Sequence, residues 1–423
     1  MAVAVLSLTM TVAFAMFATP SAEAQVNQVA HNFVAGLDGG LPYAGLTIDT
    51  AGNLYGTSTS GGILTGGCSP FGCGGVYQLK TFRSGLTALS SFVLTPIYSF
   101  AGGSDGNYAI GRVAIGQDGN LYGTTFIGGG EGSCFYSGSG CGTVFQLRRP
   151  TTIPSTVLTP WDKTVLNRFT GGTDGGEPRG DLVFDQAGNI YGVTYRGGTT
   201  DNGVIYQLTP SGGGWTETVL YSVQNNGDGA NPMFVALNKS GNLYGVFYQG
   251  GPHGFGAVFQ LSPSVSGWTE QTLYGFTGGN DGKNPMSLII DESGNLYGTT
   301  QSGGNIGCGT VFKLTPAGGS WAFSTLYTFG HDSEGCSPQD ALVMDATGNL
   351  YGTLLEGGEY LWGAVFKLTP SNGNWTYTSL HDFEADDGEF PTSKPIFDAS
   401  GNLYVTAQFG GAYDHGVILE ITP

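Results

Sequence analysis

Charge is what this sequence has least of. Only 11 % of its residues are Asp, Glu, Lys or Arg, where about 25 % is usual. The shortage falls on the cations: 14 Lys and Arg stand against 32 Asp and Glu, and none precedes Lys80. A net charge of −18 lacks the basic footprint that a phosphate backbone requires, so no nucleic-acid partner is expected. Apolar runs of membrane-spanning length are missing after residue 18, so the mature chain is not expected to insert into a bilayer. No stretch of ten residues shows apolar spacing of three and four, and no helix is expected. Catalytic signatures are missing as well. There is no G-x-S-x-G, H-E-x-x-H or P-loop, and His31, His253, His331, His381 and His415 are scattered along the chain.

Glycine is what it has most of, 75 of 423 residues. With 40 % hydrophobic and 12 % aromatic residues the chain can bury a core, so glycine here punctuates strands and does not signal disorder. Much of it lies in one motif. Gly-Asn-Leu-Tyr-Gly or a close variant stands at residues 52–56, 119–123, 188–192, 241–245, 294–298, 348–352 and 401–405, and the last five copies are 53 or 54 residues apart. A constant period of this size means one supersecondary unit copied along the chain.

The copy at 284–329 shows the unit. Runs at 285–291, 295–300, 309–315 and 321–329 are rich in β-branched and aromatic residues, and Gly or Pro clusters separate them. Four antiparallel strands joined by tight turns make a propeller blade. Six copies are complete. The seventh ends after its third strand, and the missing fourth is supplied by residues 27–33 at the other end of the chain. The expected fold is therefore all-β: a seven-bladed β-propeller spanning 25–423, its ring closed by the N-terminal strand, which removes two open sheet edges.

Residues 1–24 read as a secretory signal, an apolar run ending in Ala22-Glu23-Ala24, although no Lys or Arg precedes the run. Six cysteines suit an exported chain. Strand directions put the loops between second and third strands on one face of the ring, with the loops between blades; we call it the upper face. On that face Cys68 should pair with Cys73, Cys134 with Cys141, and Cys308 with Cys336.

Two features of the upper face could carry chemistry. Each inter-blade loop holds Asp-Gly or Glu-Gly, from Asp38-Gly39 to Asp387-Gly388. Such a ring of carboxylates could bind calcium, but a side chain closing its own turn explains a repeat-wide Asp-Gly better. No cofactor is expected. The second feature lies where the copies disagree. Four residues before the end of the first strand stand Gly45, Arg112, Asp181, Phe234, Ser287, Ala341 and Lys394, with Tyr43, Arg179 and Asp340 nearby. First strands line the channel, so these residues either form a mixed-charge pocket at its mouth or plug it with ion pairs. Around them the loops offer Phe135, Tyr136, Tyr360, Trp362, Tyr413 and His415, aromatic rings suited to sugars or extended peptides. The tryptophans at 161, 215, 268, 321 and 375 are expected to pack between blades, and the repeated tyrosines likewise to serve packing.

The repeated G-N-L-Y-G-T-T…G-G…G-x-V-F-x-L pattern resembles the GloVer tandem-repeat family of secreted bacterial proteins. That resemblance implies an exported repeat protein and no particular activity. The sequence reading is thus a secreted, periplasmic or cell-surface binding module, monomeric, with a glycan, peptide or surface protein as partner. A lactonase- or lyase-type propeller enzyme using the channel mouth, and a structural envelope component, are the alternatives.

Overall fold

The computed structural model describes residues 26–65, 68, 70–83, 90–130, 132, 134, 140–150, 161–330 and 334–422. The expected signal segment and the loop residues Phe135 and Tyr136 lie outside them. Seven antiparallel sheets form a seven-bladed β-propeller. Blade three shows the order from axis to rim: Gly176–Phe184, Ile190–Arg196, Val204–Ser211, Gly214–Ser222. The ring closes as expected. Val26–Asn32 pairs antiparallel with Val417–Thr422 and becomes the outermost strand of blade seven.

Burial explains the strand sequences. The second strand of each blade is covered on both faces: Leu54–Ser58 and Leu121–Thr125 are buried at every residue. It therefore reads as a continuous run of small and apolar residues. The outermost strand has one wet face, and Trp-Thr-Glu-Thr in blade three alternates partly buried with exposed. The third and fourth strands run further than Pro316 suggests. In blade five Pro316 pairs with Trp321 and Ala317 with Ser320, leaving Gly318 and Gly319 as a two-residue hairpin with φ of 58° and 96°. Positive φ at both positions matches the strand twist, and glycine adopts it without strain.

The Asn and Tyr of the repeated pentapeptide do more than pack. In blade six Asp345 accepts from the amides of Thr347 and Asn349, from Asn349 Nδ2 at 2.7 Å and from Tyr351 Oη at 3.0 Å. Burial alone would raise this carboxyl, but the hydrogen bonds from Asn349, Thr347 and Tyr351 outweigh it and bring Asp345 down to about 2. The same corner recurs at Asp49, Asp185 and Asp291. In four blades the tyrosine ring meets the tryptophan of the next blade in a T-shaped contact, as in Tyr55–Trp161, Tyr122–Trp215 and Tyr191–Trp268, with centroids 6.1, 6.2 and 6.2 Å apart. One residue thus closes a turn and joins two blades.

The innermost strands are the irregular ones. Before the Asp-Asn-Tyr corner the chain bulges toward the axis. In blades four and five a single extra residue, Met233 or Met286, breaks the register. The other blades carry one residue more: blade three holds it within the continuous strand Gly176–Phe184, whereas blade six is split into Cys336–Pro338 and Val343–Met344 and blade one keeps only Thr47–Ile48. This corrects the sequence alignment. Phe234 and Ser287 sit one position higher in the channel than Gly45, Arg112, Asp181 and Lys394, because blades four and five are one residue short there. The bulged carbonyls are held from the neighbouring blade. Hydroxyls of Thr57, Thr299, Thr353 and Thr406 donate to Gly111, Asp340, Ser393 and Ala44 at 3.2, 3.2, 2.9 and 3.1 Å.

The mouth itself is built on strained backbone. Leu41, Tyr108, Glu177, Asn231, Asn284, Ser337 and Phe390 open the seven innermost segments with φ between 51° and 63°. Non-glycine residues rarely adopt this conformation. Each is held by its own N–H, which donates to a loop carbonyl of the preceding blade: Glu177 to Cys141 at 2.7 Å, Asn231 to Asn202 at 2.9 Å, Phe390 to Trp362 at 2.9 Å.

Candidate functional site at the channel mouth

The turn that follows these strained residues aims two tiers of side chains at the axis. The upper tier is Tyr43, Ile110, Arg179, Met233, Met286, Gln339 and Thr392, and all seven line one axial cavity. Below it lie Arg112, Asp181 and Asp340 in the same cavity, with Lys394 against them. Tyr43, Arg112, Arg179, Asp181 and Asp340, singled out in the sequence on scattered repeats, thus meet at one place. The ion-pair reading describes the lower tier of this cluster.

The lower tier is a plug. Arg112 Nε donates to Asp181 Oδ2 at 2.9 Å, and its Nη2 reaches the same oxygen. The two side chains are only 16 % and 15 % exposed. Asp340 accepts from its neighbour's amide, Ala341, at 2.6 Å and from the Lys394 amide at 2.9 Å. The carboxylates share one field yet shift oppositely. Burial opposes the charged form of Asp181, but the charge and hydrogen bonds of Arg112 overcome it and hold the group below its usual range. Asp340 lacks such a fork. Burial, then the negative charge of Asp181, push it up to about 6. Burial and the neighbouring Arg112 bring the Lys394 ammonium down to about 8. The cavity among these groups is about 60 Å³, room for a few waters and nothing larger.

Above the plug the channel widens into a recess of about 180 Å³ lined by Tyr43, Arg179, Tyr195, Met233, Tyr248, Met286, Gln301 and Gln339. The Arg179 guanidinium carbon lies 5.1 Å from the Phe126 ring centroid and 4.7 Å from that of Tyr195, a double cation–π contact. Tyr248 Oη donates to Gln301 at 2.7 Å. Tyr195, Tyr248 and Gln301 were not anticipated, though they carry the same signal as the rest. They occupy one column at the end of the second strand, with Thr59, Phe126, Leu355 and Gln408 in the other blades, and in that column the copies disagree.

The remaining expected site residues lie elsewhere. Tyr360, Trp362 and Tyr413 are exposed on the outer upper loops, 44, 36 and 59 %, and with His415 they line neither axial cavity. Trp362 packs edge-on against Phe390, centroids 5.6 Å apart. The disulfides pair as expected, Cys68–Cys73, Cys134–Cys141 and Cys308–Cys336. The last ties a loop of blade five to the first strand of blade six.

The inter-blade carboxylates serve their own loops. Asp228 accepts from the amides of Gln224, Asn226 and Gly229 and from Tyr221 Oη. Two histidines occupy the column of that tyrosine: His31 approaches Asp38 at 3.2 Å and His381 approaches Asp387 at 3.1 Å. Nor does the axis suit a divalent cation, because Arg112 and Lys394 stand among its two carboxylates. Among the described residues no three His, Cys, Asp or Glu side chains converge as a metal site.

No curated protein matches the sequence. A family model, the Gloeobacter/Verrucomicrobia repeat, matches residues 136–321 and 265–423. The chain belongs to that family. Among solved structures it is similar to a candidate 6-phosphogluconolactonase from Bacteroides uniformis, with 14 % identity, a TM-score of 0.50, and 80 % of this chain and 84 % of that one covered. A gluconolactonase from Xanthomonas campestris shows 14 % identity and a TM-score of 0.42 over 73 % of this chain and 84 % of the other. At such identities the likeness is one of fold.

Proposed function

We propose that this member of the Gloeobacter/Verrucomicrobia repeat family is an exported binding module that takes a glycan or peptide ligand in the recess at the upper mouth of its channel. The observation that carries this reading is the shape and lining of that recess. It opens upward, is closed below by the Arg112–Asp181 pair, and mixes apolar Met233 and Met286 with the polar ends of Tyr43, Tyr248, Gln301 and Gln339. Few polar groups set among apolar ones are what orient a small ligand. Three disulfides support an oxidising, extracytoplasmic setting. A glycan array read with the wild-type protein, followed by titration of the best ligand, tests the proposal. Tyr248→Ala should weaken binding by about 1–3 kcal/mol if the tyrosine is a hot-spot contact. Undiminished binding by both Tyr248→Ala and Gln339→Ala would place the site elsewhere.

One observation favours a second reading, a propeller enzyme. Asp340 and Lys394 are displaced toward neutrality, to about 6 and about 8, and such displaced groups mark acid–base catalysts as well as structural ion clusters. In that case Asp340 is the general base for an acidic proton or a hydrolytic water arriving through the recess, with Arg112 beside it. Since the axis does not suit a metal, the activity would withstand chelation.

A further inference from the structure

The charged groups of the axis do not balance. Arg112 is matched by Asp181, and Lys394 has Asp340 as its neighbour. Arg179 is left over, a net positive centre at the mouth of a protein of net charge −18. Among the described residues it makes no ion pair, and its buried Nε has no hydrogen-bond partner. The guanidinium nonetheless lies over two rings, those of Phe126 and Tyr195, which restrict its orientation. Desolvating an unmatched cation is costly, and ring faces compensate only in part because they offer no acceptor for the N–H groups. What remains is a preoriented donor fork lining a recess that opens to solvent. Such a fork suits a planar, singly charged carboxylate.

We propose that the ligand taken at this mouth is an acidic sugar, a uronate residue, whose carboxylate is bound by Arg179. The inference rests on the reading of the recess as the binding site and adds the ligand's class. One cation without a second beside it suits a monoanion better than a phosphate dianion. The other lining groups fit the rest of a sugar. Phenol and amide groups of Tyr43, Tyr248, Gln301 and Gln339 can serve hydroxyls around a ring edge, and Met233 and Met286 offer apolar contact to its C–H faces. The recess of about 180 Å³ lies below the usual range of about 300–1,000 Å³ for drug-sized ligands, so it admits one residue, as at the end of a chain.

The test is calorimetric titration of the mature protein with digalacturonate and with the same disaccharide after reduction of its carboxyl groups. The acid should bind at least about tenfold more tightly than the reduced sugar, as expected for a charge-assisted pair, and its affinity should fall as salt is raised. Arg179→Met should abolish that preference. Should this variant fail to fold, Arg179→Lys, which keeps the charge without the fork, should reduce it. Equal binding of acid and reduced sugar, with Tyr248→Ala still weakening both, would overturn the carboxylate assignment and leave the mouth as the site. Binding of either sugar that neither Tyr248→Ala nor Gln339→Ala diminishes would overturn the site itself. No binding of digalacturonate, or capture instead of a peptide with a free C-terminal carboxylate, would overturn the sugar class.

Discussion

Blades four and five differ from the other five by one residue, and the difference lies at the axis. Where the first strand carries the longer bulge, the preceding blade offers a threonine: Thr57, Thr299, Thr353 and Thr406 each bind the bulged carbonyl of the blade that follows. Where the bulge is short, the preceding blade has Val193 or Val246 instead. Hydroxyl and bulge therefore change together. The outer strands keep one plan all round the ring while the inner ones are edited blade by blade. This is the division expected if the outer wall serves the fold and the axis serves a ligand.

Both regions depend on a closed ring, and opening it should be the most damaging change. Removing Val26–Asn32 strips blade seven of its outer strand and leaves Val417–Thr422 as a bare apolar edge. Loss of cooperative unfolding, or aggregation on expression, is the expected outcome. A truncated protein melting cooperatively at the wild-type temperature would mean that the terminal strand is dispensable.

The threonine contacts at the axis are worth less. Thr353→Val removes the donor to the Ser393 carbonyl and should cost about 1–2 kcal/mol in denaturant unfolding, the penalty of a buried acceptor left unmet. Thr124 is the exception among the threonines: its hydroxyl is buried without a hydrogen-bond partner. Thr124→Val should be neutral within about 0.5 kcal/mol, or stabilising. A Thr124→Val loss equal to that of Thr353→Val would remove the proposed link between hydroxyl and bulge.

How much of this was legible follows the same division. The blades, their order and the closing strand could be read because each rests on a column repeated seven times. Two disulfides followed from cysteines close together in one loop, and Cys308–Cys336 from strand direction, which puts both on one face. The roles within a column were harder. The pentapeptide tyrosine reads as packing, yet its hydroxyl also closes the Asp corner, a contact that needs the register of two strands to be known. The register of the first strands failed at Phe234 and Ser287, since a bulge shifts side chains without leaving a mark in composition. Disagreement between copies located Tyr43, Arg112, Arg179, Asp181 and Asp340 correctly at the axis. Applied to the second strand it would have added Tyr195, Tyr248 and Gln301. It could not separate the matched Arg112 from the unmatched Arg179, because pairing is a matter of distance. The aromatic loop residues Tyr360, Trp362 and Tyr413 share the upper face with the axial residues but line neither axial cavity, because a common face does not bring loop side chains to the axis.

The smallest expected effect tests the plug beneath the recess. Asp340 titrates at about 6 in the folded protein against an ordinary value of 3.8. Folding therefore takes up a proton between these values, and the contribution of this group to stability falls as pH rises across that window. Lys394 titrates at about 8 against 10.5. There the unfolded chain holds more protons, and stability from this group rises with pH between the two. The pair taken alone makes the fold weakest between about 6 and about 8, where both groups are charged and both resist burial. At about 1.4 kcal/mol per pH unit the full shifts would give each arm about 3 kcal/mol, and relaxation of the cluster around its charges should bring that to about 1 kcal/mol. Urea unfolding across the pH range measures both arms. Asp340→Asn should flatten the acidic arm and enlarge the alkaline one, because the Asp340 charge supports the Lys394 ammonium, and Lys394→Met should do the converse. The Arg112–Asp181 pair acts oppositely and lower. Asp181 is held below its ordinary 3.8, so its contribution is present above that value and is lost as pH falls through the lower one. If Asp340→Asn left the stability profile between 3.8 and about 6 unchanged, Asp340 would be an ordinary solvated carboxylate, and the axis would be an open channel in place of a plugged one.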